Sequence, residues 1–275
     1  MRSLALVYGG LLVLGPLCAL AQRLWPSGEA PRVFARERRL DWLYWLVTPL
    51  LTGVLTRAAT LGALAVAVVA VDHDLDPQTF LSWFHARSPI GRQPLWLQAV
   101  EVLVLSDFLG YWSHRLRHTR MLWPLHAVHH APERLDWLAA ARMHPFDDLI
   151  DNVLVGLPVL LLGFDPLLFL ALDPLLLLHT LYLHMAVRWR LGPLGHLLVS
   201  PVMHRWHHAR DPVTQNANFG GVLSIWDRLF ATWRVPARAP DAFGVDEAPP
   251  ERLPETLRAQ LWQPILRLAR FRQPK

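Results

Sequence analysis

Cysteine is almost absent. Cys18 is the only one, so no intrachain disulfide can form. Lysine is scarcer than chance allows: Lys275 is the only one, and the other 26 of 27 basic residues are Arg. Charged side chains of both signs reach only 18%, against about 25% in ordinary soluble domains. Such a chain is neither intrinsically disordered nor a basic nucleic-acid arm. What fills the space is apolar: 53% of residues are hydrophobic, and the mean hydropathy is +0.23. There are 13 Trp, a residue that favours the membrane–water boundary. The net charge of +5 comes from Arg beside apolar runs, the pattern of a cytoplasmic membrane face. No nucleic-acid partner is expected.

Four apolar stretches are long enough to matter. Leu4 to Ala21 has 18 residues without a charge and reads as a retained anchor rather than a cleaved signal. Leu43 to Val71 is broken only by Arg57; as a helix its 29 residues would be about 44 Å long. Trp42, Tyr44 and Trp45 are expected to hold its first turns at the interface, with Pro49 as a kink. Leu95 to Trp112 is a third candidate span and contains Glu101 and Asp107. Leu149 to His184 has 36 residues with Gly163-Phe164-Asp165-Pro166 near its middle, and reads as a helical hairpin that leaves on the side it entered. The segment between residues 22 and 40 holds five Arg, whereas the segment from 72 to 94 opens with Asp72, Asp74 and Asp76. The positive-inside rule then puts the first in the cytoplasm, and residue 113 onward there too. The expected fold is an all-α, polytopic, single membrane-embedded domain over 1–275, with a catalytic core over about 95–233 and a tail over 234–275. Residues 235–254 read as loop, and 257–271 as a surface helix with Arg on one face.

Histidine is the anomaly. Of 14, twelve fall between His114 and His208. His114 and His118 form H-x-x-x-H. His126, His129 and His130 form H-x-x-H-H, and His204, His207 and His208 repeat it. Residues three and four apart share a helix face, so each motif aims imidazoles at one place. Pro124 suits the first turn of the helix that carries the second motif. Neutral imidazole binds Zn, Cu, Fe and Ni. Eight such ligands exceed the needs of one four-coordinate zinc and suit two metals. His73, His85 and His196 are read as ordinary surface or core residues. The Arg side chains inside the motifs are expected to point away from the metals, to solvent, acids or headgroups.

The motifs resemble the fatty acid hydroxylase / sterol desaturase superfamily of membrane non-haem di-iron oxygenases. The resemblance runs through Ser106-Asp107-Phe108, Tyr111 to His118, HAVHH, Arg142-Met143-His144-Pro145, His184, Pro201 to His208, Asn218-Phe219-Gly220 and Trp226 to Phe230. It implies a helical anchor, a cytosol-facing histidine-rich helical cap, two irons and O2 as co-substrate. It also implies a separate electron donor, ferredoxin- or cytochrome b5-like, because the chain has no such segment. Zinc is expected as a substitute in purified protein. The implied chemistry is hydroxylation or desaturation of an unactivated C–H bond in a sterol, fatty acyl, ether or carotenoid lipid. His144 and His184 join the ligand set as ninth and tenth members, with His144 read equally as a residue standing behind a ligand. Asp107, two turns before His114, would orient a ligand by accepting its other N–H; Asp227 would do likewise, or pair with Arg228 or end a helix, and His179 would serve the site or be a satisfied core residue. The family often has Asn where this chain has Ala186 and Gly where it has Ala231. Two other classes stand beside this reading. A membrane zinc hydrolase would want a Glu base, as in H-E-x-x-H, and none of the motifs has one. A metal transporter or histidine sensor would hold its ligands at mid-membrane, whereas these flank the apolar runs.

Overall fold

The computed structural model describes residues 4–28, 34–35, 38–71, 77–245 and 256–271. Among them the secondary structure is helical, with only isolated bridges such as Pro26–Val187 and Leu198–Leu223. Among the described residues two helices are long and apolar enough to cross a membrane: α1 (Leu4–Leu24) and α2 (Arg39–Val71). Their outer faces are bare. Leu12 is 78% exposed and Val66 70%, a surface that only a bilayer or another apolar body would solvate.

The first turns of α2 pack into the cap rather than standing bare. Tyr44 and Trp45 are buried in the cap, where the Tyr44 hydroxyl donates to Gln260 and Trp45 Nε1 to the Leu138 carbonyl. A buried ion network fastens the same end: Asp41 pairs with Arg38 and Arg142, and Arg38 also with Asp136. Each charge there has an opposite partner, the condition for burying it.

The helix α3 (Pro77–Arg87) occupies the segment expected as an outer loop. His73, Asp72, Asp74 and Asp76 lie outside the described residues. The third expected span is α4 (Leu95–Arg117), which continues past Trp112 and carries His114 out with it. The expected hairpin is present. Its first arm is α6 (Pro145–Asp151), a π-helical turn at Asn152–Gly156, and α7 (Leu157–Leu160). Its second arm is α8 (Pro166–His184), capped by Asp165, whose carboxylate accepts from Leu167 N. Gly163 sits in the turn at φ +84°, where an added Cβ would lie 2.5 Å from Ser88 Cβ. His85 Nδ1 donates to the Gly163 carbonyl, and Ser88 Oγ to that of Leu162, so the tip is tied to the end of α3.

The cap is built from short pieces. These are α5 (Trp123–His130), a 3-10 turn at Trp137–Ala141, α9 (Pro201–His207), α10 (Pro212–Gln215) and α11 (Ile225–Leu229). The tail helix α12 (Leu257–Phe271) packs on α2 and α5, with buried Gln260 as its anchor.

Candidate metal centre

The structure divides each triple between two groups, so a triple does not aim all its imidazoles at one place as expected. Residues four apart on a helix stay on one face; a residue three along sits beside it. Accordingly His114, His118, His126, His130 and His207 form one group, and His129, His184, His204 and His208 form another, with the ligand-type nitrogens of each group within 4.8 Å of one another. The middle histidine of each triple crosses to the group that the outer two do not join. His130 and His208 stack with ring centroids 4.4 Å apart, so the two groups share a wall. Pro124 stands in the first turn of α5, and Ser200 Oγ caps α9 by accepting from Met203 N.

One nitrogen of five rings is fixed by an oxygen that can only accept. His114 Nδ1 donates to the Phe219 carbonyl (2.9 Å), His129 Nδ1 to Arg142 (3.0 Å), His184 Nδ1 to Thr180 (2.9 Å) and His207 Nδ1 to Ala217 (2.7 Å). His126 Nδ1 donates to the Asp147 carboxylate (2.9 Å). A neutral imidazole with hydrogen on Nδ1 has a bare lone pair on Nε2. Yet His114 Nε2 and His126 Nε2 stand 3.1 Å apart. Two lone pairs at that distance repel unless a cation lies between them. Two nitrogens bound at about 2.1 Å and at right angles to one ion are about 3 Å apart, so the donors fit a shared metal. Further buried nitrogens have no hydrogen-bond partner: both of His118, both of His130, His207 Nε2, and Nδ1 of His204 and His208. Buried polar atoms are seldom left so, unless a ligand takes them.

The rings are held in the ligand form. Burial, joined by the charges of neighbouring histidines, pulls His118, His130, His204 and His208 well below the ordinary imidazole range. Burial does the same to His126 and His129, and brings His207 down to about 4. All seven are therefore neutral at pH 7, as metal binding requires.

The other expected residues fall in several places. His184 joins the second group. His144 does not join either, which corrects the expectation: its Nε2 donates to the Leu261 carbonyl and its Nδ1 accepts from Phe146 N as the N-cap of α6. With both nitrogens taken, no lone pair is left for a metal. Asp107 also departs from its expected part. Its carboxylate accepts from Val222 N (2.6 Å), Leu223 N (2.9 Å) and Trp226 Nε1 (2.8 Å), and from no histidine. Asp227 accepts from Phe219 N, Gly220 N and Thr232 Oγ1, and likewise touches no histidine. His179 Nε2 donates to the Gly221 carbonyl. These three thus hold the 217–223 loop, whose carbonyls in turn hold His114 and His207.

The carboxylate that does grip an imidazole is Asp147, which sequence reasoning missed. It also receives Arg117 Nη1 at 3.1 Å, while Arg117 Nη2 reaches Asp151 at 3.2 Å. The Arg117 side chain thus turns to acids, as expected of the motif arginines. Arg205 is instead buried against the Leu135 carbonyl and Phe243, not at solvent. The departure at Ala231 has a visible counterpart: it adopts φ 56°, a conformation glycine takes freely.

The sequence profile described as fatty acid hydroxylase matches residues 99–232. An ornithine lipid hydroxylase, OlsE of Rhizobium tropici, is 32% identical over 258 residues, covering 92% of this chain and 74% of that protein. Alkylglycerol monooxygenase of Danio rerio is 34% identical over 132 residues, 46% of this chain and 29% of that one. The human alkylglycerol monooxygenase is 33% identical over 130 residues, again 29% of its length. No solved structure matches.

Proposed function

The chain belongs to the fatty acid hydroxylase family, and on that premise we propose that its two histidine groups hold a pair of irons that hydroxylate a membrane lipid with O2. The enzyme is a lipid-modifying oxidoreductase, the class its relatives share. One observation carries the assignment of the site. His114 and His126 face each other through bare Nε2 atoms at 3.1 Å while their Nδ1 hydrogens are committed elsewhere. In this reading His114, His118, His126, His130 and His207 serve one iron, and His129, His184, His204 and His208 the other. Iron bound there supplies the activation of O2 and its transfer to an unactivated C–H bond.

The chain's own share is to fix and seal the donors. Asp147 and Arg117 hold the tautomer of His126, and the loop carbonyls of Ala217 and Phe219 hold His207 and His114. Such oxygens fix ring orientation and raise ligand basicity. Burial keeps bulk water from the rings. Neither group contains a carboxylate, and Asp147 is engaged by His126 and Arg117, which favours this reading over a zinc hydrolase with a carboxylate base among its ligands.

We place the centre at the cytoplasmic face of a multi-pass protein, where a separate ferredoxin- or cytochrome b5-like donor reaches it. The whole chain works as one catalytic unit: α12 in the tail supplies the Leu261 carbonyl that holds His144. The substrate is a lipid with a polar head, either an aminolipid such as the name of the Rhizobium relative indicates, or an alkylglycerol ether. The test is lipid mass spectrometry of a host with and without this chain under 18O2. A lipid gaining one labelled oxygen only with the intact chain supports the reading. Labelled lipid in equal amount from His130→Ala protein would refute it.

A further inference from the structure

A cavity of about 660 Å³ opens beside α9, and no histidine lines it. It is separate from the metal centre. Its acids already have partners: Glu133 meets Arg210 at 3.6 Å, Asp136 pairs with Arg38, and Asp241 with Arg238. Three of its arginines have no acid. Arg205 is only 7% exposed; its Nη1 donates to the Leu135 carbonyl (2.7 Å) and its guanidinium lies over the Phe243 ring. Arg190 donates only to the carbonyls of Pro236 and Ala237. The exposed Arg188 side chain makes no hydrogen bond or ion pair with any described residue. Behind the cavity, buried Arg38, Arg142 and Arg205 stand against buried Asp41 and Asp136, three cations to two anions. A buried charge without a counter-ion is costly, and an anion in the cavity removes that cost.

The mouth of the cavity lies where α1 ends. Ser27 N donates to the Ala186 carbonyl (2.9 Å) and Arg188 N to that of Trp25 (3.3 Å), which clasps the end of α1 to the chain leaving α8. The rings of Trp25 and Trp189 meet beside this clasp at 5.6 Å, and Trp favours the membrane–water boundary. Val13, Leu17, Leu20 and Leu24 share one exposed apolar face of α1 that runs to the same place. The lining itself is mixed. Apolar Leu135, Ala186 and Val202 stand among the arginines. Such a wall suits a phosphate joined to glycerol and the first acyl carbons. An acidic protein surface would reach Arg188 and Arg190 but not the buried Arg205.

We propose that this cavity holds an anionic glycerophospholipid, its phosphate on Arg205, Arg188 and Arg190 and one acyl chain along the exposed face of α1. This lipid is a resident partner and not the substrate. It braces α9 through Arg205, which stands between His204 and His207 in the chain. The phosphate has two sources, the headgroup of a lipid or the free ion, and the exposed apolar face of α1 favours the lipid.

Binding tests this without turnover. The full chain in maltoside micelles is titrated with phosphatidylglycerol, with phosphatidylcholine and with inorganic phosphate. Phosphatidylglycerol should bind at least about 10-fold more tightly than phosphatidylcholine, whose choline would meet the same arginines. Inorganic phosphate at equal concentration should not displace it. Arg188→Gln should weaken phosphatidylglycerol by about 5-fold, the scale of one basic residue facing an anionic lipid, and Arg205→Gln by at least as much. Arg258→Gln, exposed on α12 and outside the cavity, should change nothing. Equal binding of the two lipids by the parent chain overturns the proposal, whether or not the variants fold. Displacement by inorganic phosphate overturns it in favour of a free-ion site. An Arg258→Gln loss equal to that of Arg188→Gln overturns it in favour of diffuse surface charge. Folded Arg205→Gln protein with unaltered affinity overturns it in favour of a flat surface fit for an acidic protein. Iron content of the same samples keeps the two ideas apart: iron-loaded protein without the lipid preference fails this inference alone, and iron-free protein with it fails the metal reading alone.

Discussion

Asp147 joins three functions at one carboxylate: it fixes the His126 tautomer, neutralises Arg117, and ties α6 to α4. Asp147→Asn keeps an oxygen for His126 but turns an amide or a lost charge toward Arg117. Iron affinity or turnover should fall by about 10–100-fold, the usual cost of losing a group that orients a metal ligand. Iron titration and lipid turnover read it, and a variant equal to the parent in both would remove Asp147 from the account. Ala231 offers a test of opposite sign. At φ 56° an L-residue pays about 1–2 kcal/mol that glycine avoids. Ala231→Gly should raise the midpoint of thermal unfolding by a few degrees; a lower midpoint would show that the turn is not strained. The histidine spacing was legible in the sequence because both triples obey helical periodicity. Asp147 was not, since it meets His126 across 21 residues and only the packing of α6 brings them together. His144 misled for a related reason. Its place before Pro145 marks a helix start, and as N-cap it spends the lone pair a metal would need.

At the scale of elements, the 217–223 loop is the second support of the centre. Four of its backbone N–H groups go to Asp107 and Asp227, and two carbonyls of the same stretch go to His114 and His207. Asp107→Asn leaves a single acceptor oxygen for three donors. Stability should drop by about 1–3 kcal/mol, the cost of unsatisfied buried groups. The five-histidine group should lose its metal before the other, leaving about one iron per chain. Unchanged thermal stability with both irons retained would make Asp107 a packing charge only. Long apolar runs announced α1, α2, α4 and the hairpin, since hydropathy alone decides such segments. The burial of Tyr44 and Trp45 in the cap stayed hidden, because an aromatic pair at an apolar helix end reads the same in a membrane belt and in a core.

The whole molecule gathers neutral imidazoles into a dry cap, and pH acts on that directly. Buried His126, His129, His130, His204, His207 and His208 hold fewer protons folded than unfolded. Stability of the metal-free protein is therefore complete above the unfolded value of about 6.5 and declines as pH falls below it. For His207 the loss runs down to about 4. Denaturant midpoints across that window should fall with acid; a flat profile would mean the rings are hydrated. The central claim is a pair of irons in two histidine groups. Elemental analysis of active, anaerobically purified protein measures it most directly. The account predicts two irons per chain, and one or none in the His126→Ala variant. A single metal, or none, in active parent protein would contradict it.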